Sequence, residues 1–477
     1  MQGWLATLAI ALWPLVAIYF YRALPLGMAT LWTILAGQLL LPVGTAIKIA
    51  MIPLFDKATV PNLCAFVGCI LVARRPPKLF ASAGLIEVFI VMNLIGPLIT
   101  SELNADPVPA GDHVLPPVGL YDAISAVEAN FLFLIPFFLG RQYLVTATRN
   151  FEILRVLVVA GLIYSLPMLF EVRMSPQFHY WIYGYYPTDF IQSMRDGGFR
   201  PMVFMGHGLL AAFFMMTTVV AATALWRMRV ATWRIPPAGI SAYLGVVLVL
   251  CKTLSALVYA AVMVPLVRFS NPKLQVRVAA IFVSIALAYP TLRTFGLFPT
   301  TSIIEVASSI SAERSESMKF RFENENMLLQ KAAQRIWFGW GRYGRSRVYS
   351  EWGRDISTTD GHWIITLGQF GIFGFVAEFG LLSIGVFRAA AALRFAQSKA
   401  ERLSLSSLAL IVSINILDLL PNAGLIPWTW LLTGALVGRA EALSSVLQKR
   451  RQLGSKNNSS LVVAEIGTAK TRGNVFR

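Results

Sequence analysis

The side chains able to do chemistry gather in two stretches and at a few isolated positions. Residues 299–360 carry nine basic and eight acidic residues between two apolar runs. A connection of that length is expected to hold structure or function of its own. Within it, Arg321 shares a segment with Met318, Phe322, Leu329, Ala333 and Ile336 at helical spacing, and Arg314 lies seven residues earlier on the same face. The spacing predicts an amphipathic helix lying over an apolar bundle. The stretch ends in Asp360-Gly361-His362-Trp363 at the mouth of the next run, where a carboxylate and an imidazole could each serve as a general base. Isolated cations are Arg200 after Gly197-Gly198, Lys252 between two short apolar runs, Arg321, and Arg342 and Arg345 in Gly339-Trp340-Gly341-Arg342-Tyr343-Gly344-Arg345. That last string has GxGxxG spacing, but a dinucleotide fold needs a strand before the turn and a βαβ unit around it. Here it follows a helical segment, so NAD binding is rejected, leaving a plain turn or an anion cradle of backbone amides.

The second stretch, residues 178–201, concentrates Tyr180, Trp181, Tyr183, Tyr185 and Tyr186. Aromatics there are either membrane-interface anchors or a platform on which sugar rings stack. On the second alternative, the ring-stacking candidates are Tyr180, Trp181 and Tyr185, with Trp340 and Trp363. Glu87, Glu128, Glu378 and Asp418 lie in or near apolar runs, as does Arg293. Charges at such depth are costly, so each needs a partner or a role in proton movement. His113, His179 and His207 read as structural hydrogen-bonding residues.

The elements that must position these residues are set by composition. The chain has 477 residues, 56% hydrophobic and only 14% charged, against roughly 25% charged in soluble domains; mean hydropathy is +0.63. Runs long enough to cross a bilayer fall near 3–20, 26–46, 59–73, 79–100, 119–140, 151–171, 203–226, 238–251, 254–268, 277–298, 361–385, 403–420 and 425–438. The expected fold is therefore all-α, a polytopic membrane bundle of about 12–14 transmembrane helices, with helices in 1–298 and 361–440 flanking the loop 299–360. The first run lacks a basic segment and cleavage site, so it reads as a retained helix. The +17 charge sits in short clusters such as Arg74-Arg75 and Arg227/Arg229/Arg234, a topology signal rather than a nucleic-acid footprint. All clusters fall on one side, which predicts that side cytoplasmic, the N-terminus outside, and 101–118, 172–202 and 299–360 external. Residues 441–477 are read as a cytoplasmic tail, disordered from 454 onward. Cys64, Cys69 and Cys251 have no metal-ligand spacing, and neither a metal nor another cofactor is expected.

Four motifs in this order resemble the O-antigen ligase and Wzy-type polymerase family of bacterial membrane glycosyltransferases. They are Gly198-Phe199-Arg200-Pro201; Leu250-Cys251-Lys252-Thr253; Phe320-Arg321-Phe322 with Asn324, leading to Phe338-Gly339-Trp340-Gly341; and Asp360-Gly361-His362-Trp363, running into Gly368-Gln369-Phe370-Gly371-Ile372-Phe373-Gly374. The similarity covers roughly residues 195–385. It implies a GT-C-like bundle in the bacterial inner membrane and a periplasmic active site. The implied donor is an undecaprenyl-diphosphate-linked oligosaccharide, and chain-length or export proteins are implied as partners. External cations, here Arg200, Lys252 and Arg321 with Arg342 and Arg345, would hold the diphosphate, and a His-Asn pair would open the span after the large loop. Where family members show Ser-Arg, this chain has Cys251-Lys252, and Lys cannot grip phosphate bidentately. Counting back from Gly371, the His-Asn pair falls on Asp360-Gly361, which favours Asp360 as base with His362 the alternative and points to an exopolysaccharide-polymerase branch. The rival readings are a transporter or flippase of a lipid-linked glycan, resting on the buried acids, and a non-catalytic export partner.

Overall fold

The computed structural model describes residues 3–49, 53–80, 84–195, 197–230 and 235–445. The chain is an all-α polytopic membrane bundle. Among the described residues, eight helices are long and apolar enough to cross a membrane. They are α1 (Trp4–Ala23), α4 (Leu85–Glu102), α5 (Leu120–Tyr143), α6 (Ala147–Met174), α8 (Gly208–Arg227), α11 (Pro272–Thr294), α14 (His362–Ala392) and α15 (Lys399–Asp418). Shorter apolar helices are α2 (Leu26–Leu40), α3 (Thr59–Val67, continued as a π-turn to Val72), α9 (Pro237–Leu250) and α10 (Leu254–Phe269), and a last helix covers 427–445. Every apolar run read from the sequence coincides with one of these helices. Helices close all backbone hydrogen bonds internally, which is why apolar segments adopt them in lipid.

Local chemistry fixes several helix ends. Thr146, Asn271 and Ser398 cap α6, α11 and α15 by accepting from Arg149, Leu274 and Glu401 backbone amides. At the lower end, where α5 and α14 finish, Arg141 bridges Glu87 and Glu441 at 2.8 and 2.7 Å, and Arg388 joins Glu441 at 3.0 Å. Glu87 is thus a structural pairing partner.

At the opposite, upper end the connections carry α7 (Phe178–Tyr183), α12 (Thr300–Ile310), α13 (Ala312–Ala333) and three two-stranded antiparallel hairpins, Ala46–Ile47 with Phe55–Asp56, Val108–Ala110 with His113–Leu115, and Met194–Arg195 with Gly198–Phe199. The helix expected from residue 311 is present, with Leu329 and Ile336 of its expected face against the core, but the most buried strip is shifted around the helix. Asn324, Glu325, Leu328 and Ala332 are buried, while Ala333 is exposed and Ile336 lies beyond the helix. The cause is Arg293 at the end of α11, which holds Glu325 at 3.0 Å and turns a polar strip of α13 inward. Burial raises the Glu325 carboxyl above the usual carboxylate range.

One span departs from its expected form. Residues 361–385 read as a single helix, but Gly371 at φ 66° and ψ −164° breaks α14. His362 Nε2 and Thr366 Oγ1 both reach Glu378 Oε2, at 3.1 and 2.7 Å. Sixteen residues of straight helix span about 24 Å, so 362–370 fold back beside the longer second part. The break is covered by the segment that follows α13. Ile372 and Phe373 amides donate to Ile336 and Trp337 carbonyls, and Trp340 and Gly341 amides donate to Gly368 and Gln369 carbonyls. Irregular backbone at membrane depth is tolerated where protein satisfies it, as here.

Candidate functional site

Arg321, projecting from the middle of α13, is the centre of one cluster. Its Nε lies 3.5 Å from Asp360 Oδ2, and its Nη1 donates to the Pro421 carbonyl at 3.4 Å. Both side chains are about one-third exposed, so the cation is reachable from solvent. Asn324, one turn further along α13, accepts from the Thr358 amide at 2.7 Å and fixes the approach of 358–360 to the helix. Asp360 and Gly361 then lie against the end of α15, where the His362 amide donates to the Leu419 and Asn422 carbonyls. Asp418, buried at the last turn of α15, accepts from Asn422 at 2.9 Å and sits within electrostatic reach of Arg321 and Tyr259. His362 is therefore two residues from the Arg321 pair and is held through its ring by Glu378.

A second cluster surrounds Arg200. The chain from Arg200 to Phe204 is pinned by buried groups: Glu171 accepts from the Met202 and Val203 amides at 2.9 and 2.8 Å, Tyr164 accepts from the Phe204 amide, and Lys57 donates to the Phe204 carbonyl. Burial pushes Lys57, in the connection between α2 and α3, down to about 7. The Arg200 side chain runs over the start of α8, where a Cβ on Gly208 would stand 2.1 Å from its Cδ. Lys252, between α9 and α10, reaches the same place: a Cβ on Gly198 would stand 2.4 Å from its Nζ. The connection after α15 links the clusters, since Pro421 meets Arg321 while Gly424 packs against Leu210, two residues past Gly208. Arg200, Lys252, Arg321, Asp360 and His362 thus share the upper end of the bundle.

Several sequence candidates have other work. Arg345 is buried, donating to the Trp340, Pro116 and Asp106 carbonyls at 3.1, 2.7 and 2.9 Å, so its guanidinium is spent on fastening loops rather than on an anion. Trp340 is buried between Lys331 and Arg335, which lie 3.8 and 4.3 Å from its ring centre, and its indole donates to the Lys331 carbonyl. Trp363 is fully buried edge-on to Tyr289. Neither ring can stack on a sugar. Tyr185 hydrogen-bonds the Val43 carbonyl and Thr45, both at 2.6 Å, and His179 bridges Tyr185 to the Val43 amide, so this aromatic pair staples two connections together. Tyr180 and Trp181 remain exposed, Tyr180 stacked on Tyr186 at 4.9 Å and Trp181 packed beside Phe170 and Phe178. Arg342 is half-buried with its guanidinium 5.8 Å from the Tyr343 ring. Gly339, at the start of the 339–344 stretch, seats its backbone directly on Gln369. The Arg314 side chain and residues 446–477, which include the stretch read as disordered, lie outside the described residues.

Sequence reasoning missed Glu171, Lys57 and Asn324 as the residues that position these cations. Glu171 and Lys57 act on backbone groups distant in sequence, which no local spacing reveals. Asn324 was visible only as one letter of the Phe320-Arg321-Phe322 motif. Comparison with protein-family models and with curated proteins finds no match for this chain.

Proposed function

We propose that the upper-end cluster is the active centre of a glycosyltransferase that moves glycan units from an undecaprenyl-diphosphate-linked donor to an acceptor sugar hydroxyl. In this reading the upper end faces the periplasm of a bacterial inner membrane. The observation that carries it is the gathering of Arg321, Asp360 and His362–Glu378 around the end of α15, with Arg200 and Lys252 on the same face. The acceptor hydroxyl attacks the anomeric carbon, the bond from that carbon to the diphosphate oxygen breaks, and undecaprenyl diphosphate leaves. Negative charge grows on the diphosphate as that bond breaks, and preorganised cations in a partly dry site stabilise it. Arg200, Lys252 and Arg321 take that role, with Arg342 at the margin. Tyr180 and Trp181 offer exposed faces to sugar rings.

We assign the general base to His362. Its Nε2 contact with Glu378 fixes ring orientation in the way a buried carboxylate orients a catalytic imidazole. Asp360, engaged by Arg321, holds that cation in place.

One observation favours the rival reading of a lipid-linked glycan flippase: α14 is broken and carries an intramembrane acid, a pattern found where helices line transport pathways. Purified protein in detergent, given a lipid-diphosphate oligosaccharide, separates the two. A ladder of products, retained in EDTA and independent of any ion gradient, is expected for a polymerase; a single block joined to a lipid acceptor means a ligase. Movement of intact donor across a vesicle membrane with no new glycosidic bond would overturn the proposal in favour of transport.

A further inference from the structure

The lower end of the bundle holds a pocket of about 970 Å³ lined by Arg227, Arg229, Arg268 and Lys399 on its charged side. Trp226, Pro236, Pro237 and Leu403 form its apolar side. Three other cations at this end meet acids across the bundle: Arg141 and Arg388 share Glu441, and Arg439 takes Glu401. The pocket differs. Arg227 donates to the Val267 and Ser270 carbonyls, and Arg268 stacks on Trp226 at 4.2 Å. No carboxylate lines the pocket among the described residues, and Arg227 and Arg268 stand close enough to repel one another. The buried Nε of Arg268 has no hydrogen-bond acceptor. Glu401, two residues after the pocket's Lys399, is turned to Arg439 and the Gln397 amide.

Two further features add to the same field. The first turns of α9 and α15 both border the pocket, bringing the positive ends of two helix dipoles toward it. Arg229 closes α8 at φ 57°, a left-handed position that glycine fills without strain, yet it carries a cation to the pocket rim. Three cations beside the carbonyl-bound Arg227, an unsatisfied buried donor and an apolar wall in a membrane bundle match an amphiphile with a phosphate head. We propose that this pocket binds the headgroup of an anionic phospholipid, independently of the chemistry at the upper end.

The test is lipid binding to the purified full chain, by native mass spectrometry and by thermal unfolding. The probes are phosphatidylglycerol, phosphatidylcholine and inorganic pyrophosphate. The combined variant Arg229→Gln, Arg268→Gln, Lys399→Gln is compared with wild type; Arg227 is left in place because it closes the end of α10. Phosphatidylglycerol is expected to bind wild type at least tenfold more tightly than phosphatidylcholine and to raise its unfolding temperature. The variant should unfold at the wild-type temperature in lipid-free detergent but lose both effects. Should the triple variant not fold, Lys399→Gln alone is expected to weaken phosphatidylglycerol binding severalfold. Equal binding of the two lipids, or undiminished phosphatidylglycerol binding in the folded variants, would overturn the proposal. Stabilisation by pyrophosphate equal to that by phosphatidylglycerol would also overturn it, assigning the pocket to a soluble phosphate.

Discussion

Arg321 and His362 sit at the surface of the upper end because other residues hold them there, and those supports define what a substitution does. Arg293 and Glu325 fasten α13 to α11 through a contact with both side chains at most one-tenth exposed. Removing one partner of such a pair strands a buried charge and costs about 3–5 kcal/mol. A loss of activity in an Arg293 variant would therefore report on folding. Glu378 is different, since its side-chain hydrogen bonds go to His362 and Thr366 of the same helix. If it orients the base, Glu378→Gln keeps the hydrogen-bond geometry and changes the electrostatics. The expected result is a kcat lower by on the order of 10²–10⁴-fold with KM for the donor little changed. A merely structural Glu378 would instead lower the unfolding temperature and move both constants together.

Helix α14 shows how an element carries the site. Its break places His362 beside Glu378, and the break exists because Gly371 adopts a left-handed backbone with the Trp337 carbonyl against it. A Cβ there would stand 2.4 Å from the Trp337 carbonyl carbon. Gly371→Ala is therefore expected to cost about 2–4 kcal/mol from backbone strain and overpacking together, read as a lower unfolding temperature and loss of activity. An unchanged unfolding temperature would mean that the loop does not seat on the break. The helices themselves were legible in the sequence, because a hydrophobic run in lipid has no other way to satisfy its backbone. The fold-back was not: Gly368 and Gly371 could be counted, but the backbone they meet lies about thirty residues earlier in sequence, in 336–341. The same limit explains the site. Arg321 and Asp360 were legible as chemistry, whereas Arg345 and Trp340 resembled ligand groups until their neighbours on the 101–118 connection and α13 came into view. A guanidinium spent on carbonyls and one awaiting an anion look alike in one dimension.

At the scale of the molecule, the bundle has two chemically distinct ends. The lower end carries compact charge networks around Glu441 and Glu401 and a cationic pocket, while the upper end carries the long connections and the one-third-exposed Arg321 pair. The distribution of Lys and Arg between helices predicts the lower end cytoplasmic. Cysteines placed at exposed Glu313 and Arg394 test this, since the three native cysteines are buried or half-buried. A membrane-impermeant maleimide applied outside should label Glu313→Cys and spare Arg394→Cys until the membrane is opened; the reverse pattern would invert the topology. The most direct test of the central claim is the release of undecaprenyl diphosphate by the purified protein in gradient-free detergent, counted against new glycosidic bonds. The predicted result is one released carrier per bond in wild type, at a rate at least a hundredfold lower in Arg321→Gln and in His362→Gln, both folded. Release that continues unchanged in the two variants, or bound donor that is never cleaved by wild type, would contradict a glycosyl-transfer centre at the end of α15.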